Sequence, residues 1–201
     1  KFFKHWESDG TPGFEAQTKS VVITAGEGRE QLFRTKEPIT DARHDPKADT
    51  AKGKGGGTEA VGDVRVSITV TPKDCDVVIL EIHDPVQPGA PVRIECAVEG
   101  RKAESRLLRG SDAVTPDAIR KLRIPNGSPT RIDFENVDQR IVVRVDGDEA
   151  ARVDYDVVPL DSPAMDRPAA VKLGVKSGAA AFSRLALARD LHYTKYDRVK
   201  A

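Results

Sequence analysis

Val64, Val66, Ile68 and Val70 alternate with Arg65, Ser67, Thr69 and Thr71. Successive side chains of a strand point to opposite faces, so this segment reads as a strand with one dry side and one wet side. The same period recurs in Val92-Ile94-Cys96-Val98, Ile132-Phe134, Ile141-Val143-Val145 and Val171-Leu173-Val175. Val77 to Ile82 is apolar on both parities and reads as a more central strand. Breakers separate these runs at the spacing of a sandwich: Pro72, Asp84-Pro85, Gly89, Gly110, Pro125-Asn126-Gly127 and Ser177-Gly178. The pattern predicts an all-β, antiparallel two-sheet β-sandwich of about ten or more strands, with at most one short helix.

The clearest turn is Asp146-Gly147, a dipeptide suited to positive φ and led into by an alternating apolar run. The helix is expected near 115–122, with Thr115 as N-cap and Pro116 at the first helical position. Val21-Val22-Ile23 and Leu32-Phe33 read as two short strand-like runs, too few to close a core of their own. Residues 45–60, rich in glycine and lysine, have nothing to bury and read as a flexible loop inserted between strands. The expected organisation is therefore a single sandwich domain over residues 1–201, with residues 47–58 removable at little cost in stability.

Lysine plus arginine and aspartate plus glutamate each total 32, so no basic excess is available for nucleic acid. No apolar stretch approaches the roughly 20 residues of a membrane helix, and direct membrane insertion by this chain is not expected. The start, Lys-Phe-Phe-Lys-His-Trp, has neither a signal-peptide pattern nor an initiator Met, which suggests a processed chain or a piece of a longer one.

The residues that carry chemistry do not form motifs. His5, His44, His83 and His192 are scattered, and the two His-Asp-Pro strings read as strand ends entering turns. Asp146, Asp148, Glu149, Asp154 and Asp156 could supply oxygen ligands to calcium. Asp-Gly-Asp is also ordinary turn chemistry, and Asp154 and Asp156 alternate with Val153 and Tyr155 as solvent-side residues do. No Gly-x-Ser-x-Gly turn and no phosphate loop occurs, and a glycosidase reading lacks the aromatic content of a sugar cleft. Cys96 shares parity with core residues, whereas Cys75 sits in the Pro72-Lys73-Asp74 turn; spacing leaves open whether they are bridged. No catalytic residue, metal site or cofactor is assigned.

Ile132 to Gly147, with its Asn136-Val137-Asp138 and Val145-Asp146-Gly147 strings, resembles the strand-turn-strand signature of lectin-like jelly rolls of the laminin-G and concanavalin A type. Phe182 to Thr194 resembles their closing strand and, with Trp6 and Glu37 to Asp41, is similar to the large jelly-roll insertion of one branch of bacterial type I signal peptidases. The catalytic strings of that family are missing: Met165 lies in Ser162-Pro163-Ala164-Met165, and Gly62-Asp63 and Gly147-Asp148 are followed by Val64 and Glu149. The resemblance implies a non-catalytic, extracytoplasmic accessory domain whose partner is a membrane-anchored Ser/Lys peptidase. The alternative is a stand-alone lectin-like module that binds glycan or protein.

Overall fold

The structure is a computed structural model that describes residues 6–8, 14–16, 20–35, 63–83, 90–156 and 170–189. Among the described residues are twelve strands and one helix. In chain order the strands are β1 (Trp6–Ser8), β2 (Phe14–Ala16), β3 (Ser20–Thr35), β4 (Val64–Lys73), β5 (Val77–His83) and β6 (Val92–Ala97). They continue as β7 (Arg106–Arg109), β8 (Asp112–Ala113), α1 (Asp117–Lys121), β9 (Thr130–Val137), β10 (Arg140–Val145), β11 (Asp148–Asp154) and β12 (Ala170–Arg189). All named strand pairs are antiparallel, in the order β11-β10-β9-β4-β12-β5-β6-β7-β8, with β3 along the other edge of β12 and β1 and β2 on β3.

A twenty-residue strand is what turns this sheet into a sandwich. The first part of β12, through Lys176, pairs with β5, whereas its part from Ala180 onward pairs with β4. Between them the chain bends at Ser177 and Gly178, both at positive φ. β3 bends alongside, and the Gly28 amide donates to Ser177 Oγ at 3.0 Å. One half, β3-β12-β5-β6-β7-β8, thereby folds over the other, β12-β4-β9-β10-β11. The inward residues of both halves form one core, including Val66, Ile68, Leu80, Ile94, Phe134, Leu173 and Phe182. Each such side chain contributes roughly 1.5–3 kcal/mol on burial. The sheet is curled and antiparallel, and the all-β sandwich expectation holds.

Four local expectations need correction. Ser177-Gly178 does not separate two strands; it is the bend inside β12, and a Cβ at Gly178 would stand 2.3 Å from the Asp74 carbonyl oxygen. Val21-Val22-Ile23 and Leu32-Phe33 are the two ends of β3, made continuous by pairing with β12. Pro72 lies within β4, where it faces Ala180 near the end of the pairing and its missing N–H is tolerated. Thr115 is not the helix cap: its hydroxyl donates to the Leu107 carbonyl and accepts from the Leu107 amide, and Pro116 occupies the N-cap. The Asp146-Gly147 hairpin forms between β10 and β11, with φ of 51° and 97°. The glycine-rich segment 45–60 lies outside the described residues.

Candidate functional site

The two outer faces of the sandwich are both charged but are built differently. On the β4-β9-β10-β11 half, each ion pair joins residues on the same or neighbouring strands. Arg65 meets Glu135 across the β4–β9 ladder at 3.1 Å, and Arg131 meets Asp133 at 3.0 Å. Arg140 meets Asp154 across β10–β11, and Arg144 bonds to Glu135. Between these pairs a shallow depression forms over Val142, which is 5% exposed. The face is a ladder of local charge pairs.

On the opposite half, register places Arg34, Lys172, Glu81, Arg93 and Leu108 in one row on the outer side. The next row carries Leu32, Gly174, Ile79, Glu95 and Arg106, and the third begins with Glu30, Lys176 and Val77. Ile79 faces outward yet has no exposed surface. Arg93 Nη1 donates to Glu30 Oε1 at 3.0 Å and Nη2 donates to Glu30 Oε2, a two-point contact from β6 to β3 across β5 and β12. On a flat sheet those strands are about 14 Å apart, and the two residues are displaced along them as well. Bridging that separation requires this half to curl toward its outer side, and the hollow so formed runs along the row of Ile79, Gly174 and Leu32. Gly174 is required here: a Cβ would stand 2.5 Å from both the Gln31 carbonyl oxygen and Leu32 Cδ2.

Glu81 anchors the deeper side of the hollow. Its carboxylate receives His83 Nε2 and Lys172 Nζ, the latter at 3.2 Å, and Arg93 Nη1 reaches its other oxygen at 3.4 Å. Burial by itself would raise the Glu81 pKa, but His83 and Lys172 outweigh it and hold the acid at about 2. Arg93 also donates to Glu95 Oε1 at 2.9 Å. Desolvation would ease its proton loss, but Glu30 and Glu95 more than compensate and raise its pKa. Both groups therefore stay charged at neutral pH in a half-dry setting.

Other candidate chemistry does not assemble. The Asp146 carboxylate accepts the Arg131 amide at 2.8 Å, which is turn-closing geometry, and Asp154 is taken by Arg140. Among the described residues no three His, Cys, Asp or Glu side chains group as metal ligands. Cys75 and Cys96 are separate buried thiols with no bridge between them. Desolvation pushes their pKa values up to about 11 and about 12, which keeps them protonated and unreactive. His83 ends β5 as expected of a strand-end histidine. His5, His44 and His192 lie outside the described residues, as do the residues of the expected Asp84-Pro85 turn. Glu30, Glu81 and Arg93 were not singled out from the sequence. The outward parity of Arg93 was legible beside Val92 and Ile94, but Glu81 lies in a run that reads as apolar on both parities, Glu30 lies between the two short runs of β3, and their convergence needs the curl.

No family profile and no curated protein matches this sequence. Solved structures do match the fold. The carbohydrate-binding module CBM66 from Bacillus subtilis superposes with a TM-score of 0.55 at 11% identity, covering 91% of this chain and 94% of that one. A family 7 alginate lyase, A1-II', gives 0.51 at 14% identity over 90% and 85%. The carbohydrate recognition domain of Emp46p gives 0.51 at 6% identity over 92% and 88%. This chain has the fold of a lectin-like β-sandwich, shared with carbohydrate-binding modules and jelly-roll lyases.

Proposed function

We propose that this chain is a glycan-binding β-sandwich module and that the hollow outer face around Arg93 is where it binds. The observation that carries this reading is the Arg93–Glu30 contact spanning four strands, since it marks a concave, half-dry surface lined with hydrogen-bonding groups. Sugar sites on a sheet need such a surface: curvature to contact several ring positions, and fixed polar groups to set orientation. The neighbouring folds support the ligand class, because a carbohydrate-binding module and a carbohydrate recognition domain are among them. A module over residues 1–201, acting at the cell surface or outside the cytoplasm, fits this role. The test is a glycan microarray followed by affinity gel electrophoresis of wild type and Lys172→Met. Retardation by a glycan, weakened in Lys172→Met and unchanged in Arg140→Met on the ladder face, is the expected result. No retardation by any glycan would remove the proposal.

A second reading keeps the peptidase resemblance. Of the strings that resemble the signal-peptidase insertion, Trp6 falls on β1, Glu37 to Asp41 lies outside the described residues, and Phe182 to Arg189 falls on the end of β12, which belongs to the ladder half rather than the hollow. That half would then be the surface against a membrane-anchored Ser/Lys peptidase partner, leaving the hollow free. Sequencing the surrounding gene tests it: a Ser-Met-x-Pro string upstream and a Gly-Asp-Asn-Ser string downstream are expected, and their absence removes the reading.

A further inference from the structure

Of the carboxylates around Arg93, Glu30 is the one that came from far away. Glu95 lies on the same strand as Arg93, and Glu81 lies directly across on β5 and is also held by His83 and Lys172. Glu30 is on β3 and is 35% exposed, against 8% for Glu81 and 18% for Glu95. Its contact with Arg93 is end-on and two-pointed, one oxygen to each terminal nitrogen. This is the geometry by which a guanidinium takes any carboxylate, whether from the same chain or from a ligand.

The backbone beside Glu30 is suited to let it go. Glu30 pairs with Lys176 and Ala25 with Gly178, so residues 26–29 stand opposite the single residue Ser177. These four residues bulge out of the ladder and are all exposed, and Glu30 sits at their end. If Glu30 withdraws, the hollow keeps Arg34, Arg93, Arg106, Lys172 and Lys176 against Glu81 and Glu95. An anion would enter a cationic recess with a preformed receptor.

The aromatic inventory points the same way. Neutral sugars are commonly held by stacking their apolar faces on exposed rings, and none is offered here among the described side chains. Phe33, Phe134 and Phe182 are in the core, and the Tyr155 ring is covered by the Arg109 guanidinium at 4.2 Å. Recognition by the described side chains of this face therefore falls to charge and hydrogen bonds.

We propose that Arg93 is the receptor for a sugar carboxylate, that Glu30 occupies this receptor in the unliganded protein, and that the ligand is a uronate-bearing glycan which displaces Glu30. This rests on the glycan-binding reading of the same face.

The experiment is calorimetric titration of oligogalacturonate, and of the same oligomer fully methyl-esterified, into wild type and Glu30→Gln. Glu30 is a third exposed at the surface, so its amide variant keeps the fold, and thermal melts check this. The free acid should bind in a salt-dependent manner, and Glu30→Gln should bind it about tenfold more tightly because the internal competitor is weakened. Arg93→Lys in the Glu30→Gln background should lose that gain, since an ammonium cannot reproduce the two-point contact. Equal affinity of wild type and Glu30→Gln for the acid would overturn the displacement. Equal binding of the ester, or of dextran sulfate, would overturn the carboxylate assignment. Both results leave glycan binding itself in place. Failure of every glycan to bind would remove both proposals together.

Discussion

The two outer faces use the same residue types on the same kind of scaffold and arrive at different surfaces. On the ladder half, arginine and acid meet along one strand or across one strand spacing, and each pair would exist in almost any untwisted antiparallel sheet. On the hollow half, one arginine collects three carboxylates drawn from its own strand, the next strand and a strand three places away. The first arrangement reports local register. The second reports curvature, and through it the bend of β3 and β12 at Ser177-Gly178. Charge content alone does not separate a solvated face from a candidate site; the separation in strand order between the partners does.

Replacing the hub residues should therefore cost far more than replacing ladder residues. Arg93→Met takes the guanidinium from Glu30 and Glu95 in a half-dry recess, while Glu81 keeps His83 and Lys172, and a loss of about 3 kcal/mol is expected from urea unfolding. A loss near that of an ordinary surface substitution would mean the hollow is as wet as the ladder. Acid should then act mainly through the hollow. The Glu81 pKa is lowered in the folded protein from 4.5 to about 2, so its stabilisation is present above the ordinary value and disappears as pH falls between the two. Its full contribution is on the order of a few kcal/mol. Urea melts of wild type and Glu81→Gln across the acid range should converge toward the bottom of that window. Parallel curves would detach the effect from Glu81.

Gly174→Ala tests the floor rather than the charges. The added methyl meets the Gln31 carbonyl and Leu32, and a loss of about 1–3 kcal/mol is expected, with weakened glycan binding because the floor is raised. Unchanged stability would mean that β3 sits further from β12 than this packing implies. The smallest effect is expected from Arg140→Met on the ladder. Arg140 and Asp154 are both about half or more exposed, and the urea midpoint should correspond to a change of about 0.5 kcal/mol or less. A large loss there would erase the contrast between the faces.

Much of this was already in the order of residues. Period two determined which side of most strands is dry, so Val64 to Val70 and Val171 to Val175 could be assigned to the core, and Arg93 and Lys172 to an outer side, from the order of residues alone, whereas the run around Glu81 reads as apolar on both sides. The Asp146-Gly147 turn was likewise settled locally, because positive φ is a property of a dipeptide and its immediate pairing. The sequence could not say that Ser177 and Gly178 bend a strand instead of ending it. A bend and a break use the same residues, and the choice depends on whether β4 and β5 both find partners along one strand. Nor could it place Glu30 on Arg93, since 63 residues and three strand steps separate them. Parity is a one-dimensional signal and fixes the face of each strand. Which faces become hollow, and which charges meet there, depends on strand order and on the curl that buries the core, and those are decided by tertiary packing.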